Sequence, residues 1–439
     1  MTAAEADVVS RRFLVLTALR WAPVGLLMPV LVLLPLDRGL TLSQLGLVAA
    51  AQGLVVLLLE LPTGGMADSL GRRPVLLAAG VIGILSTILM LLAQGMVGFA
   101  LAFTLQGVYR ALDSGPLEAW YVDATHAAQP DRARADDEVA RGLSRAGAAL
   151  GIAIAAGSLG GAGLVALGDL GPLDALAVPL VASLVLQVAG LGGVLLLMSE
   201  IHRRERGAAW DAVRAAPRTI GAGLRLLRTS PVLLAIVAVE LSWGFGSAGF
   251  EGLVPVRLTE VLAEPEAAAV AMGPAGAGAW LLSAVGAASL PLLSRRIGTA
   301  PSAALLRVIQ GAAVAAMGLV AGVVGVVAAY LVCYVAHGAA NPAHMALLHR
   351  EVDGSVRATA VSINSMVAQA AGAVGAITLT AVADRSSAGV AMYVAAGVLA
   401  AGAPLYLPAW RRERRLRRVV QVPADAVAVS NAPKASSRS

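Results

Sequence analysis

Apolar stretches of about twenty residues recur from one end of this chain to the other, and a helix of that length spans the hydrocarbon core of a bilayer. Composition points the same way. Of the 439 residues only 14% are charged and 58% are hydrophobic, with a mean hydropathy of +0.78. Soluble domains carry roughly 25% charged residues, so this chain lacks the means to coat a large water-facing surface. The same numbers exclude disorder over most of the length. We read an all-α membrane protein with twelve transmembrane helices near 12–36, 43–66, 73–95, 97–124, 141–168, 172–199, 230–258, 268–294, 300–320, 323–349, 355–383 and 387–409. They form two six-helix bundles, 1–199 and 230–410, around a basic linker at 200–229. Residues 411–439 read as a basic tail, disordered from Val419 onward.

The basic residues orient the helices. Lysine and arginine accumulate in cytoplasmic loops, and 28 of the 33 basic residues fall on one side when the chain is threaded through twelve spans. That group includes Arg11, Arg12, Arg72, Arg73, Arg295, Arg296, Arg307 and the Arg411–Arg418 cluster. Arg38, Arg257 and Arg385 fall on the other side, and Arg20 and Arg110 inside spans. Both termini are therefore expected in the cytoplasm, with the chain in the cell (inner) membrane. The net charge of +6 is a consequence of topology and lipid contact; no nucleic-acid partner is expected. The apolar stretch after Arg11-Arg12 is too long for a signal peptide and lacks a small-residue cleavage site, so it reads as a retained span. A lone cysteine, Cys333, supplies neither a disulfide nor a thiolate metal site. No Gly-x4-Gly-Lys-Ser/Thr, HExxH or nucleophile-elbow motif occurs, so neither an ATP-driven pump nor an enzyme is expected, and no cofactor or metal.

The loop between the second and third spans reads Gly64-Gly65-Met66-Ala67-Asp68-Ser69-Leu70-Gly71-Arg72-Arg73-Pro74. Glycine permits a tight turn, and two arginines beside an aspartate can pair with acids on neighbouring helices. Gly64, Asp68, Gly71, Arg72 and Arg73 stand at the spacing of the loop signature of the major facilitator superfamily, which this chain resembles in layout over nearly its whole length. That resemblance implies two six-helix bundles rocking about a central site, with this loop as a latch for one access state. It also implies that the first basic position, Arg72, pairs with an acid at the end of the fourth span, here Asp123. Asp68 would face the start of the eleventh span near Gly354 and Ser355, where a helix N-terminus attracts an anion.

Ionisable residues within spans are costly and mark functional sites. The fourth span holds Arg110, Asp113, Glu118 and Tyr121 on or beside one helical face. Arg110 and Asp113 are three apart and can pair, either as a structural ion pair or as a proton-binding site. The mid-span arginine is similar to a second superfamily signature associated with proton coupling, although the glycine that should follow comes one residue late, at Gly115. Glu240, with Trp243 and Phe245 nearby, could bind a lipophilic cation, carry the proton, or pair with Arg20 or Arg110. His337, Asn341 and His344 recur on one face of the tenth span, the stripe of a watery cavity. Gly160 and Gly161 match part of an antiporter signature in the fifth span, with Ala156 and Gly157 in place of its Gly-Pro. The opening Arg357-Ala358-Thr359 of the eleventh span is similar to that of drug exporters.

The resulting expectation is a monomeric, proton-coupled efflux transporter of a small amphipathic or cationic compound, working by alternating access. Asp113, Glu118 or Glu240 would exchange a proton for substrate. Proton-coupled uptake or facilitated movement of a metabolite is the alternative within transport. A non-transporting sensor or scaffold is the alternative outside it, and buried carboxylates argue against that.

Overall fold

The computed structural model describes residues 3–129, 131–200, 214, 218, 221–228, 230–353 and 356–420. Twelve helical spans cross it. We label them α1 (Ala3–Leu27, continued by the short helix Leu33–Asp37), α2 (Leu42–Leu70), α3 (Arg72–Leu92), α4 (Gly95–Asp113, then Pro116–Ala128), α5 (Arg132–Val165) and α6 (Val178–Leu197). The second half holds α7 (Pro231–Ser247, a π-helical turn Ala248–Gly252, then Val254–Leu262), α8 (Pro265–Ile297), α9 (Thr299–Leu319), α10 (Val323–Arg350), α11 (Arg357–Arg385) and α12 (Ala388–Ala401). An amphipathic helix α13 (Leu407–Val420) follows, so the tail expected to be irregular from Val419 is still helical at Val420; the rest of the tail lies outside the described residues. Among the described residues, ten helices are long and apolar enough by themselves to cross a membrane. The other two are α1, which carries Arg11, Arg12 and Arg20, and α4, which is broken in the middle.

Local chemistry sets the ends. Thr41 and Gln44 form a reciprocal capping box at the start of α2, satisfying two N–H groups that the helix itself leaves unpaired. At the starts of α7 and α12, Ser230 and Ser387 each accept a single N–H, from Leu233 and Val390 respectively. The break in α4 follows from Gly115, which adopts a left-handed φ of 98°, and from Pro116 at the first helical position of the next segment.

Helix neighbours repeat between the halves. In the first, α1 packs on α5 and α6, α3 on α4 and α6, and α2 on α4; in the second, α7 packs on α11 and α12, α9 on α10 and α12, and α8 on α10. Two polar devices follow the same symmetry. Arg38, at the end of α1, donates to the C-terminal carbonyls of α3, with Leu91 O at 2.8 Å and Ala93 O at 3.1 Å. Arg257, at the end of α7, does so for α9, with Val320 O at 3.0 Å and Met317 O at 3.3 Å. These cations sit at the negative ends of two helix dipoles, which explains why they stand on the side poor in arginine. At the basic end, Glu200 accepts the Arg73 N–H at 3.0 Å at the start of α3. Glu413 accepts the Thr299 and Ala300 N–H groups at 3.1 Å at the start of α9. Gly71 and Gly298, with φ of 96° and 103°, make the one-residue turns that precede those two starts.

The halves meet along α2–α11 and α5–α8. Small residues make this possible: Ser158 donates to Gly273 O at 3.1 Å, and a Cβ on Gly273 would lie 2.2 Å from that of Ala162. Far from the basic end, one apolar cluster joins both halves, from Leu34, Val48 and Phe99 to Phe250, Met272 and Val314. At the basic end each half keeps its own cluster, around Trp120 and Tyr121 in the first and Leu233 and Leu348 in the second. The molecule is thus sealed at the far end and parted toward the basic end.

Candidate functional site

Between the halves lies a cavity of about 600 Å³, walled by α1, α2, α4, α7, α9, α10 and α11. Its charged lining consists of Arg110, Glu240, Glu251 and Arg307, accompanied by Trp243, Gln52, Asn341, Asn364 and Gln369. Glu240 and Arg307 each make contacts within the second half, although Arg307 Nε has no hydrogen-bond partner among the described residues. The Glu240 carboxylate lies 3.0 Å from His344 Nε2. That ring also contacts Asn364 Oδ1 and, through Nδ1, the Tyr406 hydroxyl, both at 2.9 Å. The Arg307 guanidinium donates to Gln310 at 3.0 Å and sits 5.9 Å from the Trp243 ring centre. Arg110 and Glu251 are different. They face the cavity from opposite halves, and among the described residues neither has a hydrogen-bond or ion-pair partner.

The charges on the fourth span divide where the sequence suggested they would meet. Asp113 pairs with Arg20 of α1, Nε to Oδ2 at 2.5 Å, and not with Arg110. Arg20 also donates to Glu118 at 2.9 Å and to the Asp113 carbonyl at 2.7 Å. Positions 110 and 113 lie about 60° apart around a helix, enough to turn one toward the cavity and the other toward α1. Asp113 and Glu118 therefore form a cluster inside the first half and do not line the cavity. Tyr121 is likewise no wall residue: it stacks on Phe13 at 4.2 Å and donates to Glu138 O. Glu240 pairs with neither Arg20 nor Arg110.

Of the aromatic candidates, Trp243 lines the cavity, whereas Phe245 packs against the far-end core. His337 is not part of the wall either; it packs among Trp243, Phe250 and Tyr334 with ring centres 5.6–5.9 Å away. Asn341, one turn on, does line it. Arg307 was assigned to a cytoplasmic loop by sequence reasoning, but it lies inside α9 and is 2% exposed. Its position eight residues after the helix start was the available signal.

In the loop at the basic end, Arg72 Nη2 lies 2.8 Å from Asp123 Oδ2, joining α3 to the end of α4. Arg73 donates to Leu195 O at 2.7 Å and so anchors α6. Gly71 forms the turn. The side chains of Gly64 and Asp68, and the contact expected between Asp68 and Gly354 or Ser355, lie outside the described residues. Near this loop, Glu60 accepts from Ser365 across the α2–α11 seam at 3.0 Å.

Solved structures share the architecture. The nucleoside transporter NupG aligns with a TM-score of 0.72 at 13% identity, covering 91% of this chain and 98% of its own. A bacterial homologue of the human lysosomal transporter Spinster, in an inward-facing and occupied conformation, aligns with a TM-score of 0.69 at 14% identity, covering 94% and 98%. The human organic anion transporter MFSD10 aligns with a TM-score of 0.58 at 15% identity, covering 92% and 100%. At such identities the likeness shows the fold alone. No curated protein sequence is significantly similar to this one. The sequence profile of the Major Facilitator Superfamily, however, matches residues 13–376, and with two six-helix halves enclosing a central cavity the chain is a member of that family of membrane transporters.

Proposed function

We propose that this protein is a proton-coupled secondary transporter that exports a small amphipathic compound by alternating access. The observation that carries the reading is the charged cavity between two halves whose apolar cores merge at the far end only. Rocking about the α2–α11 and α5–α8 seams would close the basic end and open the far end, the motion expected of paired repeats around a fixed site. The positive-inside rule makes the basic end cytoplasmic, with both termini there, in the cell membrane.

Within this scheme Glu240 is the proton carrier. It is 5% exposed, borders the cavity, and contacts a histidine that can take or return a proton. Loading Glu240 with a proton neutralises a charge that is costly to bury, which permits the cavity to occlude. Asp113 and Glu118, held by Arg20 away from the cavity, serve as structural support for α1 and α4. The Arg72–Asp123 pair acts as the latch at the basic end. A monomer holds every element of the mechanism.

The test is transport in proteoliposomes under an imposed pH gradient, with a panel of cationic, zwitterionic, neutral and anionic compounds. Gradient-driven accumulation of at least one compound, abolished in Glu240→Gln, is expected. Movement that ignores the gradient would remove the proton from the mechanism.

A further inference from the structure

Four charged side chains line the cavity, and two of them are already engaged: Glu240 by His344 and Arg307 by Gln310. The remaining two, Arg110 and Glu251, carry opposite charges, stand on opposite halves, and have no hydrogen-bond or ion-pair partner among the described residues. Each also sits beside an irregularity in its helix. Arg110 lies one turn before the Ser114–Gly115 break in α4, and Glu251 lies within the π-helical turn Ala248–Gly252 of α7. Broken spans and π-turns are where transporters and helical proteins place ligand-binding groups. Charges at this depth in a bilayer are placed facing a polar cavity and mark substrate pathways, and both of these side chains are exposed to this one.

We infer that Arg110 and Glu251 form a two-point clamp for a zwitterionic substrate, Arg110 taking its anionic group and Glu251 its cationic group. The inference rests on the transport reading given above and narrows its substrate class. A simple lipophilic cation would be repelled by the Arg110 guanidinium, and a simple anion by the Glu251 carboxylate, so each would engage only one of the two wall charges. A zwitterion satisfies both. Because the two groups belong to different halves, the bound molecule also ties the halves together, as closure of the basic end requires. Trp243, on the same wall as Glu251, offers an aromatic face for an ammonium group.

The experiment uses the purified full chain and measures equilibrium binding of matched triplets that share a skeleton and differ in charge. Suitable sets are tryptophan with tryptamine and indole-3-propionate, leucine with 3-methylbutylamine and 4-methylpentanoate, and 6-aminohexanoate with hexylamine and hexanoate. At least one zwitterion is expected to bind about tenfold or more tighter than both of its singly charged relatives. Glu251→Gln should level that zwitterion with its anion, and Arg110→Gln should level it with its cation. If no zwitterion outranks its relatives on the unmodified chain, the inference is overturned, and that comparison needs no variant to fold. The transport reading fails separately. Zwitterion binding without gradient-driven movement in proteoliposomes would sink transport and leave the clamp, whereas cation transport without a zwitterion preference would do the reverse.

Discussion

Arg20 of α1 holds Asp113 of α4 through its Nε, 2.5 Å from the carboxylate, and spends a second nitrogen on Glu118 at 2.9 Å. One cation thus serves two acids at the point where α4 breaks. Removing the arginine strips the buried Asp113 carboxylate of its cation, and breaking a buried pair from one side costs about 3–5 kcal/mol. Arg20→Ala should lower thermal stability in detergent by an amount in that range. Asp113→Asn should cost clearly less, because Arg20 retains Glu118, and its transport should stay dependent on the pH gradient. Equal losses in the two variants would show that the cluster is not built around the arginine.

The latch at the basic end gives a second prediction. Arg72 and Asp123 are partly exposed, so their pair is worth only about 1 kcal/mol, yet it fixes the end of α4 against α3. Arg72→Gln and Asp123→Asn should each slow transport by a similar factor. The double variant should be no slower than either, the signature of a shared interaction. Additive losses would assign the two residues separate tasks.

Sealing of the far end depends on small residues at the α5–α8 seam. A side chain at Gly273 meets Ala162 at 2.2 Å, with Ser158 O at 3.1 Å, so Gly273→Val should hold the far end open. The lone cysteine is fully buried, and Cys333→Ala gives a clean background for labelling. In that background a cysteine introduced by Gln52→Cys in the cavity wall should become reactive toward an impermeant thiol reagent from the far side only when Gly273→Val is present.

The far rim should respond to pH. Partial burial, together with the charges of Glu266 and Asp174, raises the pKa of Asp37, opposed by Arg38. Glu266 belongs to α8, so part of that repulsion acts across the seam. A raised carboxyl pKa in the sealed state means that this state binds the proton more tightly. Sealing is therefore favoured as far-side pH falls through the raised pKa, and it weakens as pH rises. With Gly273→Val present, reactivity of the Gln52→Cys reporter from the far side should fall on acidification, and Asp37→Asn should flatten that dependence.

Much of the architecture was legible before any helix was packed. Span length, the one-sided arginines and the loop at 64–74 are properties that the bilayer imposes residue by residue, and Asp123 could be matched to Arg72 through the spacing of a known loop. The cavity wall was less legible. Asp113 and Arg110 are neighbours in sequence, but the 60° between them selects different partners. Tyr121, Phe245 and His337 look like wall residues from their type, and neighbouring aromatic rings or backbone take them into the packing instead. Arg307 was hidden because an arginine a few residues into a helix resembles a topology anchor. The correspondence of Arg38 with Arg257, and of Glu200 with Glu413, appears only when the two halves are compared as packed objects.

The sequence by itself determined that this chain crosses a membrane twelve times and which of its ends is basic, because hydrophobic transfer and charge placement act on each segment independently. Tertiary structure alone decided which charges pair, which face the cavity, and that Arg110 and Glu251 have no hydrogen-bond or close ion-pair partner among the described residues. Those outcomes depend on how each helix is rotated and what its neighbours present, and the close approaches between helices, set by the glycines, determine both.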